Sequence, residues 1–518
     1  MAIRISAKNS RAGNTVRNSM AGLVYYLLNL CLNFISRKIF LEYLGTEILG
    51  LNTTAVNILQ FLNLAELGIG FAVSFSLYGP IAKKDKESIN EIITLQGALY
   101  KRIAVIIIIG AIVVSCFFPW IFAKMTLPLW YAYASFGVLL FSSLLSYFVN
   151  YKQVILTASQ QEYKVTFSYK VTLLIKTISQ IILIKFMENG YIWWLITEAV
   201  FAILASWILN IVIRRNHPYL KDSNKKFREL RGKYPVLVKK VKQLFVHRIA
   251  SFAVTQTSPL IIYAFLSLTM VAYYGNYMMV ISGATLLVYA IFNGLSASVG
   301  NLIAEGNKQR ILEVFNELFC FRFTITTSVC ICFFFISDSF ISVWIGEKYV
   351  LEDLTVALFT IYMFLGISRG VVDTFINGYG LFKDIWAPIT EATLNIGGSI
   401  LGGYLFGLNG IIGGTILSQI IIIFFWKPYF LFSEGIKTSI RSYIVLYAKC
   451  LAIAFIAVIV ITPVISLIYD FSHSSFMNCL LSGFFLLCLS VTIISVGLYF
   501  TESAARRFLY RLISMFKR

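Results

Sequence analysis

"FLNLAELGIGFAVSFSLYGP", residues 61–80, is an apolar run rich in small residues, and its first nineteen positions carry one formal charge, Glu66. As a helix rising ~1.5 Å per residue, such a run crosses the ~30 Å hydrocarbon core of a bilayer. Runs of similar length recur along the 518-residue chain, which is 58% hydrophobic and only 13% charged, with a mean hydropathy of +0.79. A soluble chain of this size would cover several cores with far more charge. A β-barrel would show short alternating segments, and none is present. The pattern predicts an all-α, polytopic membrane protein.

Hydropathy and breaker clusters predict fourteen spans: 18–40, 47–79, 99–123, 128–150, 163–187, 190–213, 244–266, 270–300, 315–337, 354–380, 385–407, 409–431, 443–468 and 475–499. The first is too long for a signal-peptide core and no small-residue cleavage site follows it, so it is read as a permanent helix. The longest polar stretch, "RRNHPYLKDSNKKFRELRGKYPVLVKKVKQLFVHR" (214–248), follows the sixth span. The expected organisation is a six-helix lobe (1–213), a basic cytoplasmic connector (214–243), a second six-helix lobe (244–432), two extra spans (443–500) and a basic cytoplasmic tail (501–518). A weak internal repeat supports two halves. "GFAVSFSLYGPIAKKDKESI" (70–89) aligns with "GLSASVGNLIAEGNKQRILE" (294–313), matching Gly70 with Gly294, Ser74 with Ser298 and Lys86 with Arg310. Six spans is an even number, so the halves share an orientation about an axis along the membrane normal.

The formal charge of +20 follows the spans. With the N-terminus inside, 37 of the 44 Lys and Arg residues fall on the inner side, five fall outside, and Lys176 and Arg369 lie within spans. This is the positive-inside asymmetry, so basicity reads as topology and places both termini in the cytoplasm. It argues against a nucleic-acid partner and leaves room for attraction to anionic membrane lipids. The eight cysteines form no CxxC pair, and the three histidines make no metal pattern.

An ionisable group at bilayer depth must face water, find a partner or lose its charge. The candidates are Glu66 in the second span, Lys176 in the fifth, Glu198 in the sixth, and Arg369 with Asp373 in the tenth. Arg37 and Lys38 stand at the outer end of the first span, Arg248 stands near the start of the seventh, and Arg322 and Glu391 lie near span ends. Glu66 precedes Pro80 by fourteen residues, ~21 Å along a helix, which puts it near mid-membrane. It either locks packing or lines a hydrated cavity. Arg369 and Asp373 are spaced i, i+4 and share one helix face. They either satisfy each other, or Arg369 presents its fork of donors to a phosphate while Asp373 holds it in place. Lys176 and Glu198 lie on adjacent spans, where a mutual pair is the simpler reading. Together Arg37, Lys38, Lys176, Arg248 and Arg369 would make a cationic chamber suited to a diphosphate, with Glu66, Glu198 and Asp373 as its carboxylates. "LNIGGSILGGYLFGLNGIIGG" (394–414) reads as tight helix packing.

Residues 18–89, "NSMAGLVYYLLNLCLNFISRKIF" onward, resemble the N-terminal region of the Wzx-type polysaccharide transporters, above all in "YLGTEILGLN" (43–52), "NLAELGIGFAVSFSLYGPIA" (63–82) and "KKDKE" (83–87), and "NLIAEGNKQRILEVF" (301–315) fits too. These are flippases of the multidrug/oligosaccharidyl-lipid/polysaccharide (MOP) superfamily. The resemblance implies two six-helix lobes around a cavity, plus two C-terminal helices. It implies movement of an undecaprenyl-diphosphate-linked oligosaccharide repeat unit from the inner to the outer leaflet of the bacterial plasma membrane by alternating access. It also implies coupling to H+ or Na+ without a bound cofactor, and a glycan polymerase with its chain-length machinery as further partners; a monomer is expected because one chain already contains two halves. By local motif it touches Arg37 and Glu66; the other candidates rest on depth alone.

Rival readings fit less well. A cation-coupled multidrug antiporter of the same fold calls for an acidic cavity, whereas the in-span charges here include Lys176 and Arg369. A major-facilitator transporter carries a GxxxDRxGRR-like loop after its second span, where this chain has "YGPIAKKDKESIN". A membrane glycan polymerase or glycosyltransferase is disfavoured by the short outer loops and by the lack of DxD, HExxH and nucleotide-binding glycine motifs.

Overall fold

The computed structural model describes residues 11–63, 69–235, 256–292 and 299–516, apart from 301, 304, 382 and 385. Among these residues the backbone is helical nearly throughout and contains no strand. Contacts divide the chain into two compact units, Met1–Ala272 and Tyr273–Arg518.

The first unit contains α1 (Arg11–Tyr43), α2 (Gly45–Leu62), α3 (Ile69–Lys83), α4 (Lys86–Cys116), α5 (Trp130–Phe148), α6 (Glu162–Phe186), α7 (Gly190–Asn216), the short α8 (Phe227–Lys233) and α9 (Ser258–Phe265). α10 (Leu268–Phe292) carries the boundary between the units. The second unit continues with α11 (Lys308–Ile345), α12 (Asp353–Ser368), α13 (Gly370–Tyr379), α14 (Trp386–Gln419), α15 (Arg441–Ser474), α16 (Phe476–Thr501) and α17 (Ser503–Phe516). Ten helical stretches among the described residues are long and apolar enough to cross a membrane. The chain is a multi-pass membrane protein. On α4, Val105, Ile106, Ile109, Ile112 and Val113 stand exposed along the helix, a surface that only lipid or another apolar partner covers favourably.

Each predicted span except the seventh coincides with a described helix. Of the second, α2 and α3 are described, and residues 64–68 lie outside the described residues. Of the seventh, only α9 is described. The eleventh and twelfth form one continuous stretch, Trp386–Ile436, broken at Gly407 with φ +57° and ψ −133°. There the chain reverses into a hairpin. Gly402 faces Gly410 and Gly398 faces Gly414 so closely that a Cβ on Gly410 would stand 1.9 Å from the Gly402 carbonyl oxygen. Ser399 Oγ donates across the hairpin to the Ile411 carbonyl at 3.0 Å. The small-residue run read from sequence is thus a backbone-to-backbone contact.

Each unit has its own core. In the first, Val73, Leu77, Ile92, Leu95, Ala104 and Ile155 are buried together with Leu209 and Leu230. In the second the core is aromatic: Phe315, Phe319, Phe375, Phe432, Tyr443 and Tyr447 form one network, Phe315 meeting Phe375 edge-on at 5.2 Å.

The first part of the basic connector is strapped onto α4. Glu91, near the start of α4, is fully buried and needs donors. It receives Lys233 Nζ at 2.7 Å, the Tyr234 hydroxyl at 2.6 Å, and Lys225. Donating to Glu91 first, and then to Glu87, holds the Lys225 ammonium well above its usual range. Asn90 Nδ2 donates to the Tyr219 carbonyl at 3.2 Å, the Ser223 amide donates to Thr94 Oγ1 at 2.8 Å, and the Arg102 guanidinium lies 3.6 Å from the Phe227 ring centre. The C-terminal segment is likewise docked. On α17, Arg507 and Arg511 each reach the buried Glu317 of α11 at 3.3 Å, and Phe508 stacks on Phe321.

Candidate functional site

The largest in-span charge cluster among the described residues lies in the second unit. Arg369 stands between α12 and α13, and its Nε donates to Asp373 Oδ2 at 2.6 Å, as the i, i+4 spacing requires. Two further partners come from distant segments. Lys427 Nζ lies 3.1 Å from Asp373 Oδ1, and Glu391 Oε1 lies 3.8 Å from Arg369 Nη1. A π-helical stretch, Ile420–Trp426, immediately precedes Lys427, and another, Leu431–Ile436, follows soon after. Such stretches shift the register of side chains and concentrate at functional sites. A quarter of Arg369 and of Asp373 remains exposed, whereas Glu391 is buried.

A third cation lies against this cluster. Arg322 on α11 is 2% exposed, and its Nε donates to the Ile367 carbonyl at 2.8 Å. Its guanidinium carbon lies 4.8 Å from the Tyr289 ring centre and 4.6 Å from that of Phe292. Gly370 makes room for it, since a Cβ there would sit 2.2 Å from the Arg322 guanidinium carbon. The buried Nη2 has no hydrogen-bond partner among the described residues. Among the described residues three cations therefore accompany two carboxylates. Arrangements of this kind suit an anion that competes with Asp373 or Glu391 for a guanidinium.

In the first unit, Lys176 Nζ lies 2.8 and 2.9 Å from the two oxygens of Glu198, and Gln180 Nε2 also donates to Glu198 at 3.1 Å. Both charges are mostly buried, so the pair is a local lock between α6 and α7. Breaking one half of such a pair costs about 3–5 kcal/mol. Lys176→Met is therefore expected to lower the melting temperature in detergent by several degrees. Lys176→Met with Glu198→Gln should recover most of that loss, because a neutral amide keeps the Gln180 bond. Equal melting points for the single and double variants would refute the lock.

Arg37 Nη2 donates to the Ala272 carbonyl at 3.0 Å, and Lys38 is exposed one residue further along α1. Glu66 and Arg248 lie outside the described residues. Sequence reasoning does not select Arg322, Glu391 or Lys427 as site residues. Arg322 and Glu391 are visible there as span-end charges, while Lys427 reads as an inner-side topology charge. Among the described residues no cluster of His, Cys, Asp and Glu suits a metal ion.

No family model matches the chain, and no curated protein matches it. Solved structures do. The lipid II flippase MurJ in an inward closed conformation superposes with a TM-score of 0.65 at 16% identity, covering 93% of this chain and 99% of that one. An inward-facing multidrug resistance MATE family transporter of the MOP superfamily gives 0.59 at 14% identity, covering 82% and 99%. A point mutant of the Vibrio cholerae MATE transporter VcmN gives 0.53 at 12% identity, covering 83% and 99%. The chain has the MOP fold. At these identities the MOP likeness speaks for architecture, and the greater share of this chain matched by MurJ reflects its length beyond the MATE structures.

Proposed function

We propose that this protein is a flippase that carries an undecaprenyl-diphosphate-linked oligosaccharide repeat unit from the inner to the outer leaflet of a bacterial cytoplasmic membrane by alternating access, with both termini in the cytoplasm. The observation that carries this reading is the cationic excess of the second-unit cluster, Arg322, Arg369 and Lys427 against Asp373 and Glu391. An anionic diphosphate exchanges with Asp373 for the Arg369 fork, so the protein's own carboxylates hold the cations in place until cargo arrives. The fold supports the reading, because a lipid flippase and multidrug transporters share it. In this scheme the two six-helix lobes rock about the cargo, and anionic lipids surround the basic inner face.

A multidrug or organic-cation antiporter is the second reading, favoured by the MATE structures that share the fold. Proteoliposomes containing the purified chain and a fluorescent undecaprenyl-diphosphate oligosaccharide separate the two, with an imposed proton or sodium gradient as the variable. Appearance of the glycan in the outer leaflet, faster with one gradient, is the expected result. Transport of an ethidium-like cation without glycolipid movement would replace the flippase reading by the antiporter.

A further inference from the structure

The first unit holds a cavity of about 880 Å³ at its basic end, outside the charge cluster described above. The ends of α3 and α4 contribute Tyr78, Lys84 and Lys86, the 158–161 turn contributes Ser159, Gln160 and Gln161, and the segment after α7 contributes His217 and Tyr219. Among the described residues no carboxylate lines it. Asp85, between the two lysines, is turned to the start of α4, where it accepts from the Ser88 amide at 3.1 Å and the Ser88 hydroxyl at 2.7 Å. Lys84 and Gln160 hold left-handed backbone, with φ of +56° and +60°, and both face this space. Non-glycine residues keep such a conformation at a cost, and such strain gathers at binding sites. His217 is 7% exposed; its Nδ1 lies 3.1 Å from the Tyr219 hydroxyl, and its buried Nε2 has no partner among the described residues. Burial, aided by the nearby Lys164 ammonium, pushes this imidazole below its usual range, so it enters the cavity wall as a neutral hydrogen-bonding group.

We infer that this cavity binds a phosphate-bearing headgroup, free or carried on a lipid, between Lys84, Lys86 and the His217 imidazole, whose Nε2 has no partner among the described residues. The volume is that of a small-molecule site, and two ammonium groups with hydroxyl and amide neighbours recognise a polyoxygenated anion. Tyr78 and Tyr219 offer faces to whatever the phosphate carries, and the Lys86 ammonium already sits 5.5 Å from the Tyr219 ring centre. This site is independent of the translocation reading.

Two binding measurements on the full chain, neither requiring transport, test it. In detergent, inorganic pyrophosphate is titrated calorimetrically. In nanodiscs of mixed phosphatidylglycerol and phosphatidylcholine, native mass spectrometry counts retained phosphatidylglycerol. Lys84→Gln with Lys86→Gln should weaken binding at least tenfold, and His217→Phe severalfold. Lys383→Gln with Lys437→Gln, exposed lysines of the second unit, should leave it unchanged. Pyrophosphate binding supports a free ligand and selective phosphatidylglycerol retention a lipid-borne one. Binding in neither assay, binding that is unchanged by the cavity variants, or binding that falls equally in the second-unit control would each overturn the proposal.

Discussion

Arg369→Ala is expected to cut outer-leaflet delivery of the lipid-linked glycan on the order of a hundredfold while leaving the protein in the membrane. The size follows from the interaction removed. A desolvated, hydrogen-bonded charge pair is worth about 2–5 kcal/mol, and ~1.4 kcal/mol is a factor of ten. Arg369 joins two carboxylates, Asp373 at 2.6 Å and Glu391 at 3.8 Å, so among the described residues its loss leaves Asp373 with Lys427 as its remaining ion-pair partner and strips Glu391 of its own. A purely structural lock would show a similar defect, and the double variant Arg369→Gln with Asp373→Asn distinguishes the two. Neutralising both members removes the stranded carboxylate and should return the melting temperature towards that of the unaltered chain. If Arg369 serves the diphosphate, transport stays lost in the double variant. Transport that recovers together with stability would reduce Arg369 to a packing device.

What the sequence could disclose of this site follows the range of the forces involved. The Arg369–Asp373 pair was legible because helical spacing alone sets it. Glu391 and Lys427 join it through hairpin packing and through a π-helical shift before Lys427, and hydropathy encodes neither. Arg322 reads as a span-end charge, because nothing in its own neighbourhood announces that Gly370, far along the chain, leaves a gap for its guanidinium. Glu91 is unmarked in the sequence for the same reason, as its three donors come from a connector that reads as solvated charge. Spans were easier, since burial in lipid is a property of each segment by itself. The break expected between 407 and 409 falls on Gly407, where only a residue without a Cβ takes up φ +57° with ψ −133° readily.

That hairpin carries the largest expected effect on folding. Gly410→Ala should sharply reduce both membrane-inserted yield and melting temperature, whereas Gly413→Ala, on the same helix, should leave both unchanged or slightly raised. The contrast rests on what each new methyl meets. At 410 it meets the Gly402 carbonyl oxygen at 1.9 Å, a backbone atom that cannot rotate away, while at 413 nothing lies within 4 Å. Overpacking against movable side chains costs about 1–3 kcal/mol, and here relief requires the two helices to separate. Separation forfeits the close contact that replaces a hydrophobic driving force in lipid, along with the Ser399–Ile411 bond. It also moves Glu391, near the start of the same hairpin, relative to Arg369, so transport should fall with stability in Gly410→Ala. Thermal melting by fluorescence-detected size exclusion, paired with the glycan assay, reads both quantities. Indistinguishable melting of the two variants would mean that the glycines do not seal the hairpin, and Glu391 would then need another anchor.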